Sequence, residues 1–337
     1  MTTPSATPPP FRLDRGQLAE AEADAVMDSA GFARADWAVV DVSGPGAVAC
    51  LQGLLTNDVE RAGDGAYVYG AVLSSKGMIQ SDLWALRRGG SVLLVVPPDG
   101  KAVVDEVLRK TLPPRLARAT DRPEAGVWRL VGPQALDLAV RAGLTVPEPG
   151  KASANLVAGA AVLVARPRAA GPFALELHAE TEHGAALLER LARAGSRDVG
   201  PAGLDLARIL AGWPRLGAEI DDKTLPQEVR YDDIDGVSYT KGCYTGQETV
   251  ARVHFRGHPN RVLAGVSWGG GTPDFDAAPA ITQDGRDIGW ITSTAWAPPI
   301  ERFIGLAKVR REMDRTRPAV AWGTAARIVP LPFSRDG

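Results

Sequence analysis

The chain has 337 residues, of which 45% are hydrophobic and 23% charged, the composition of a globular protein long enough for two or three domains. Its net charge of -2 argues against a general nucleic-acid-binding protein. No apolar run approaches the ~20 residues that are needed to cross a bilayer. We therefore expect neither direct nucleic-acid binding nor membrane association.

The two cysteines, Cys50 and Cys243, limit the possible locations and metal sites. They lie far apart in sequence, and the chain has no secretory signal pattern, which favours a reducing, cytoplasmic location. Because an iron-sulfur cluster usually needs four thiolates, a single copy of this chain cannot bind such a cluster with cysteines alone. We predict no metal site.

The first part of the chain predicts a disordered leader and then an α+β unit. Residues 1–15 begin with threonine, serine, alanine and proline, which favour disorder. Apolar residues then recur with period 3.6 or period 2 along residues 16–120. These patterns predict helices over 17–29, 47–55 and 101–112 and strands over 37–42, 67–73, 82–87 and 91–96. Cys50 falls within a helical pattern, where we interpret it as a structural residue.

A second α+β unit, residues 121–260, begins by repeating the first. The segment 127–135 has the order strand, Gly-Pro and helix that is also found over 39–47. This weak internal repeat indicates two related halves. The later pattern predicts strands over 160–165 and 173–178 and helices over 182–194 and 201–211.

Residues 261–337 predict a different architecture, because only short strands follow. Asp284-Gly285 is a favourable turn for a two-residue hairpin. The predicted strands are 262–268, 280–283, 286–294 and 326–329. Such a segment is typical of a small antiparallel β-barrel.

One stretch, here named the octapeptide, carries the most specific chemical pattern: Lys241, Gly242, Cys243, Tyr244, Thr245, Gly246, Gln247 and Glu248. An isolated Gly-Cys pair could simply be a small residue in a turn. Here, however, Lys241 and a following helix start would both lower the pKa of the Cys243 thiol, and the thiolate is the reactive form. Thr245 and Glu248 fit a capping box at that helix start. We therefore predict Cys243 and Lys241 as a reactive, solvent-accessible pair.

The octapeptide resembles, residue for residue, the signature of the YgfZ family of folate-binding proteins. The resemblance continues through Leu51–Asp58, Lys76–Leu83, Leu225–Glu228, Val250–Gly257 and Gly289–Ser293. This family is related to the glycine-cleavage T-protein, a tetrahydrofolate-dependent aminomethyltransferase, and to mitochondrial factors that help mature 4Fe-4S enzymes. The resemblance implies an α+β protein with a T-protein-like fold, in which two ferredoxin-like α+β units precede a C-terminal antiparallel β-barrel.

The resemblance also implies a folate cavity between the α+β halves and the barrel. Its ligand would be tetrahydrofolate or a one-carbon derivative. Asp82 matches the aspartate with which the T-protein interacts with the reactive centre of the folate, although it could also be an exposed carboxylate at a strand start. Asn57 and Asp58 could point into the same space or cap a turn.

The chain departs from the T-protein at the position that holds the pterin ring. The T-protein has a glutamate there, in the motif Arg-x-Glu-Ala-Gly, whereas this chain has Leu210. Leucine cannot accept hydrogen bonds from the ring. Either Glu219 or Glu228 substitutes from another direction, or folate binds weakly.

A basic segment follows the octapeptide and contains no acidic residue from Arg252 to Arg261. It could bind the glutamate tail of a folate or the acidic surface of a partner protein, or it could be a solvated linker. His254 and His258 have the spacing of a metal pair, but Gly257 and Pro259 make a continuous helix there unfavourable.

Two functions are compatible with these patterns. The first is a folate-binding accessory protein that uses Cys243, as a reactive cysteine next to a tetrahydrofolate cavity, to support assembly or repair of 4Fe-4S clusters in client enzymes, including enzymes that modify tRNA. Its partners would be folate and iron-sulfur client or assembly proteins. The second is a one-carbon transferase like the T-protein. The octapeptide, which the T-protein lacks, and Leu210 favour the first.

Overall fold

The computed structural model describes residues 9–269 and 271–334, which form a mixed α+β protein with three sheets. The helices of these residues are α1 (Glu20–Met27), α2 (Ala47–Gln52), α3 (Pro98–Thr111), α4 (Ala135–Arg141), α5 (Gly184–Arg193), α6 (Gly200–Ala211) and α7 (Gln247–Arg256). The strands are β1 (Phe11–Leu13), β2 (Gly31–Ala35), β3 (Ala38–Ser43), β4 (Tyr67–Leu73), β5 (Ile79–Arg88), β6 (Ser91–Val96), β7 (Arg118–Asp121), β8 (Ala125–Val131), β9 (Lys151–Val157), β10 (Ala160–Arg166), β11 (Leu175–Glu180), β12 (Arg197–Asp198), β13 (Arg261–Ser267), β14 (Ala280–Gln283), β15 (Arg286–Ala297), β16 (Arg302–Arg310), β17 (Ala319–Ala321) and β18 (Thr324–Val329).

The first sheet has the order β4-β5-β6-β3-β7, and its neighbouring strands are antiparallel. Strand β4 is rich in aromatic and β-branched residues and is buried along its whole length. Helix α3 packs on β5 and β6, with Val104 and Leu108 in the shared core. These elements match the predicted first unit closely.

The second sheet has the order β12-β2-β8-β11-β10-β9 and corrects the predicted division at residue 120. Strand β2 belongs to the predicted first unit, yet it pairs antiparallel with β8, from Gly31 opposite Val131 to Ala35 opposite Val127. Periodicity along the chain could not show this, because it does not reveal which strand is the hydrogen-bonding partner. The first segment therefore contributes a strand to the second sheet, and the two α+β units are not continuous segments.

The third sheet is a closed barrel of six strands, β15-β14-β17-β18-β13-β16, in which β16 pairs back to β15. Asp284 and Gly285 both have positive φ, as the predicted hairpin turn between β14 and β15 requires. The predicted disordered leader is wrong over β1, which pairs in parallel with β15 through Phe11 and Ser293. The rest of that prediction, over residues 1–8, lies outside the described residues.

Helix α6 lies where the two α+β sheets and the barrel meet. It contains Pro201 in its first turn and ends at Gly212, whose φ of 64° is left-handed. It packs on β2 and β8 and also on β15 and β16 of the barrel. Helix α7 ends at Arg256, so His258 lies beyond it, as predicted. Within the described residues, we find no helix that combines the length and apolarity of a membrane span.

Candidate functional site

A cavity of about 340 Å³ lies between the two α+β units, one side of α6 and the segment that follows this helix. This volume is near the lower end of the range for small-molecule sites, about 300 to 1,000 Å³. Its walls combine aromatic rings with arginines: Trp37, Trp84, Phe173, Trp213, Arg34, Arg129, Arg208 and Arg215. Asp82 also lines it. A planar polar ligand fits such a lining better than an aliphatic one does.

Asp82 is a buried carboxylate with one oxygen unpaired. It lies on β5, two residues before Trp84, so both side chains are on the same face of the strand. Its side chain is 3% exposed, and Oδ2 accepts a hydrogen bond of 3.0 Å from the Tyr69 hydroxyl. Oδ1 is buried and has no hydrogen-bond partner. Burial raises the pKa of Asp82 to about 6, and the Tyr69 hydrogen bond and the charge of Arg129 only partly oppose this effect.

Arg129 is a buried cation in the same cavity. Its Nε donates to Oε2 of Glu176 at 2.9 Å, and its guanidinium lies 4.2 Å from the Trp37 ring and 4.5 Å from the Phe173 ring. Nη2 of Arg129 is buried without a hydrogen-bond partner. Two residues of the cavity lining therefore each carry a buried polar atom without a hydrogen-bond partner, an acceptor on Asp82 and a donor on Arg129.

Glu176 holds Arg129 in place. Its Oε1 accepts a hydrogen bond of 2.7 Å from Tyr67 and lies 3.1 Å from Nε2 of His178. Burial opposes ionisation of this carboxyl, but the charge of Arg129 and the contacts with His178 and Tyr67 outweigh burial and lower its pKa to about 2. The carboxylate is thus a fixed negative charge next to the arginine.

The sequence patterns did not point to Arg129 or Glu176. Arg129 lies in an otherwise apolar run in β8, whereas Glu176 alternates with His178 and Glu180 in β11. A charge in an apolar run is costly unless it is paired, so Arg129 was a detectable signal, but the alternation in β11 is typical of a strand with one solvent-facing side. Their pairing was not detectable, because 47 residues separate them.

Asn57 and Asp58 have structural contacts and do not line this cavity. The Asn57 amide donates to the main-chain oxygens of Tyr69 and Asp235. Asp58 Oδ1 accepts from Gln52 and from the main-chain N–H groups of residues 60 and 61. Both residues thus support the turn after α2, which is the alternative that the sequence left open.

The two glutamates proposed as substitutes at the Leu210 position are engaged elsewhere. Glu228 accepts from the main-chain N–H of Leu225 at 3.0 Å. Glu219 accepts from Arg208 and from two hydroxyls of the barrel. Neither lines the Asp82 cavity. Leu210 lines a neighbouring cavity, which shares Pro172 and Phe173 with it.

The predicted position of Cys243 next to the folate cavity is not found at the Asp82 cavity, because none of the octapeptide residues lines that cavity. Cys243 is exposed, which confirms the predicted accessibility, and Gly242 and Thr245 beside it are exposed as well. Tyr244 is buried, and burial raises its pKa to about 12. Arg252 is exposed on α7 and is not part of the cavity lining.

Lys241 points into the protein. Its ammonium donates to the main-chain oxygens of Leu55 at 2.6 Å and Asn57 at 2.9 Å. Burial lowers its pKa to about 8, although the charges of Asp58 and Glu60 oppose this shift. Lys241 therefore attaches the octapeptide to the turn after α2. Its predicted effect on the Cys243 thiol stays a prediction.

The predicted capping box of Thr245 and Glu248 is wrong. Helix α7 begins at Gln247, and its N-cap is Gly246, with no side-chain hydrogen bond to the cap. Gly246 has φ of 80°, and a Cβ there would lie 2.6 Å from the Ser74 oxygen and 2.9 Å from the Gly77 Cα. The glycine thus allows the octapeptide to lie directly on the turn before β5, where a side chain cannot fit.

Comparison with known proteins identifies the family. The profile of the GCVT N-terminal domain matches residues 7–234, more than half of the chain. The chain belongs to the GCVT-domain family. An aminomethyltransferase of Rubrobacter xylanophilus is 30% identical over 333 residues, covering 94% of this chain and 86% of that protein. The tRNA-modifying protein YgfZ of Yersinia enterocolitica is 29% identical over 265 residues, covering 77% of this chain and 75% of that protein.

A solved structure has the same fold. The glycine cleavage system aminomethyltransferase T from Bartonella henselae superposes with a TM-score of 0.78, covering 94% of this chain and 89% of that chain at 21% identity. The T-protein-like fold is therefore confirmed. So is the resemblance to YgfZ and the T-protein that the octapeptide and its flanks indicated.

The contact at Gly246 predicts a matched pair of variants in this GCVT-domain protein. Gly246→Ala should lower the free energy of unfolding by about 2 kcal/mol or more, because it combines a strained φ with a clash against main chain. Gly242→Ala should have little effect, since no atom lies within 4 Å of the added Cβ. Urea unfolding of both variants measures this difference. Equal stabilities would contradict the contact.

Asp82 predicts a pH-dependent stability. Its folded pKa is raised, so its ionisation costs stability as the pH rises from the ordinary aspartate pKa of 3.8 through about 6. Asp82→Asn removes this cost and should raise the free energy of unfolding near neutral pH by up to about 3 kcal/mol. The gain should shrink as the pH falls below about 6.

Urea unfolding across this pH range measures the effect, with Asp99→Asn as the control. Asp99 lies on the rim of the same cavity but is exposed, so its charge is already solvated. If the free energy of unfolding of Asp82→Asn differed from that of wild type by the same amount at every pH, ionisation of the Asp82 carboxyl would not destabilise the folded protein.

Proposed function

We propose that this protein binds a reduced folate in the Asp82 cavity and acts as an accessory protein for 4Fe-4S clusters in client enzymes, including enzymes that modify tRNA. The observation that carries the folate part is the unpaired Oδ1 of Asp82, buried in a cavity walled by aromatic rings. Unpaired buried polar atoms are rare because they cost free energy, and they indicate a ligand that completes them.

The residues of the cavity fit a folate. The side chains of Trp37, Trp84, Phe173 and Trp213 give the cavity an apolar aromatic wall for a ring, and Asp82 can accept a hydrogen bond from it. Arg34 and Arg215 offer cations to the carboxylates of a tail. The bound folate would supply one-carbon units. The protein would hold the ring away from water and keep the Asp82 carboxyl within reach of a ring proton.

Cys243 would act at a separate surface. Its thiol is exposed on a segment whose neighbours, Lys241 and Tyr244, are buried and fix the main chain. An exposed thiol on a rigid support can contact the thiol of a client protein, a cluster or a folate-derived carbon. We place this activity in the cytoplasm, in line with the free cysteines.

A one-carbon transferase is the second candidate. The pKa of Asp82, about 6, suits a group that exchanges a proton near neutral pH. The aminomethyltransferase relative at 30% identity also favours it. Leu210 at the position of the pterin-binding glutamate, together with the octapeptide, favours the accessory role.

The decisive experiment combines rescue of cells with ligand titration. In cells that lack the protein, Cys243→Ser should fail to restore the activity of a 4Fe-4S enzyme, whereas Cys50→Ser should restore it, because Cys50 packs against the core beneath α2. Purified Asp82→Ala should lose most tetrahydrofolate binding by calorimetry, while Cys243→Ser keeps it.

Three results would count against the proposal. Full rescue by Cys243→Ser would remove the thiol from the mechanism, and unchanged binding by Asp82→Ala would remove the cavity. Turnover of an aminomethyl donor with tetrahydrofolate, independent of Cys243, would identify the transferase instead.

A further inference from the structure

We propose that Arg129, together with Asp82, recognises the lactam edge of the bound ring, where a carbonyl oxygen lies beside a ring N–H. This inference rests on the proposed function and assigns a specificity-determining role to a residue that the sequence analysis did not consider. Arg129 Nη2 would donate to the carbonyl oxygen, and Asp82 Oδ1 would accept from the N–H.

Two hydrogen-bonding atoms of the cavity lining support this assignment. Arg129 Nη2 and Asp82 Oδ1 are buried and lack partners. Each residue has a protein partner at another atom, since Arg129 donates to Glu176 through Nε and Asp82 accepts from Tyr69 through Oδ2. A ligand that offers an acceptor and a donor side by side would complete both atoms. A simple anion would complete only the arginine.

The support of Arg129 makes it a rigid donor. Glu176 binds its Nε, and the Trp37 and Phe173 rings lie against its guanidinium. Few side-chain rotamers are open to a group held in this way, so little conformational entropy is lost when a ligand binds. Arg208, in contrast, uses its Nη1 and Nη2 in bonds to protein atoms.

The arginines of the cavity differ in burial, which indicates where the ring and the tail of a folate would bind. Arg129 is 7% exposed, whereas Arg34 lines the same cavity and is exposed to solvent. A charged tail loses less hydration at the exposed end, so it is expected beside Arg34. The uncharged lactam edge is then left for the buried end, beside Arg129.

The test uses the full-length protein and two fragments of folate. Tetrahydrofolate, pterin and p-aminobenzoyl-glutamate are titrated into wild type, Arg129→Met/Glu176→Gln and Arg34→Met. The paired substitution removes both members of the buried ion pair, so that no charge is left alone in the core. Thermal unfolding monitored by circular dichroism confirms that each variant is folded.

The Arg129→Met/Glu176→Gln variant should bind pterin and tetrahydrofolate about 10- to 100-fold more weakly, as expected for one hydrogen bond from a charged donor, with unchanged binding of the tail fragment. Arg34→Met should weaken the tail fragment and leave pterin unchanged. Together these results support the assignment.

Other outcomes overturn it. Wild-type affinity for pterin in the folded Arg129→Met/Glu176→Gln variant would show that Arg129 does not contact the ring. Loss of the tail fragment alone would place Arg129 at a carboxylate. If wild type binds neither tetrahydrofolate nor pterin, the proposed function itself fails, and the inference fails with it.

Discussion

A buried ion pair between Arg208 and Glu219 joins the parts of this molecule. Arg208 belongs to α6, which packs on the second sheet, and its Nη2 donates to Ser293 of the barrel at 3.0 Å. Glu219 accepts from Arg208 at 3.1 Å and from Thr292 and Ser293 at 2.7 and 2.6 Å. Removing either charge would leave the other unpaired in the core, which typically costs 3 to about 5 kcal/mol. The segment between them includes Trp213 and Arg215, so the same contacts hold one wall of the cavity.

Two buried carboxyl groups near the cavity, those of Glu176 and Asp82, differ in how far the protein satisfies them. Glu176 is satisfied by Arg129, Tyr67 and His178, and its pKa is accordingly low. Asp82 has only Tyr69, and its pKa is raised. A buried carboxyl whose ionisation destabilises the protein is typical of a binding or catalytic site. Such sites often lower the stability of the folded protein.

The octapeptide and the cavity are separate sites connected through one turn. Lys241 binds the main chain of Leu55 and Asn57, and the Asn57 amide binds the main chain of Tyr69. The Tyr69 hydroxyl in turn binds Asp82. The turn after α2 therefore aligns the segment that bears the thiol with the strand that bears the cavity carboxylate. This arrangement gives Asn57 and Lys241 a structural role that suffices to explain their position in the motifs.

The sequence by itself determined the family, the order of most elements, the hairpin turn at Asp284-Gly285, and the exposed Cys243, since these depend on local patterns and on a specific motif. It did not determine that β1 pairs with the barrel and β2 with the second sheet, that Gly246 caps α7, or that the Lys241 side chain points into the protein. Nor did it reveal Arg129, whose partner Glu176 lies on another strand. Such features depend on contacts between residues distant in the chain, and only the tertiary structure decided which buried charges found partners and which were left facing a cavity.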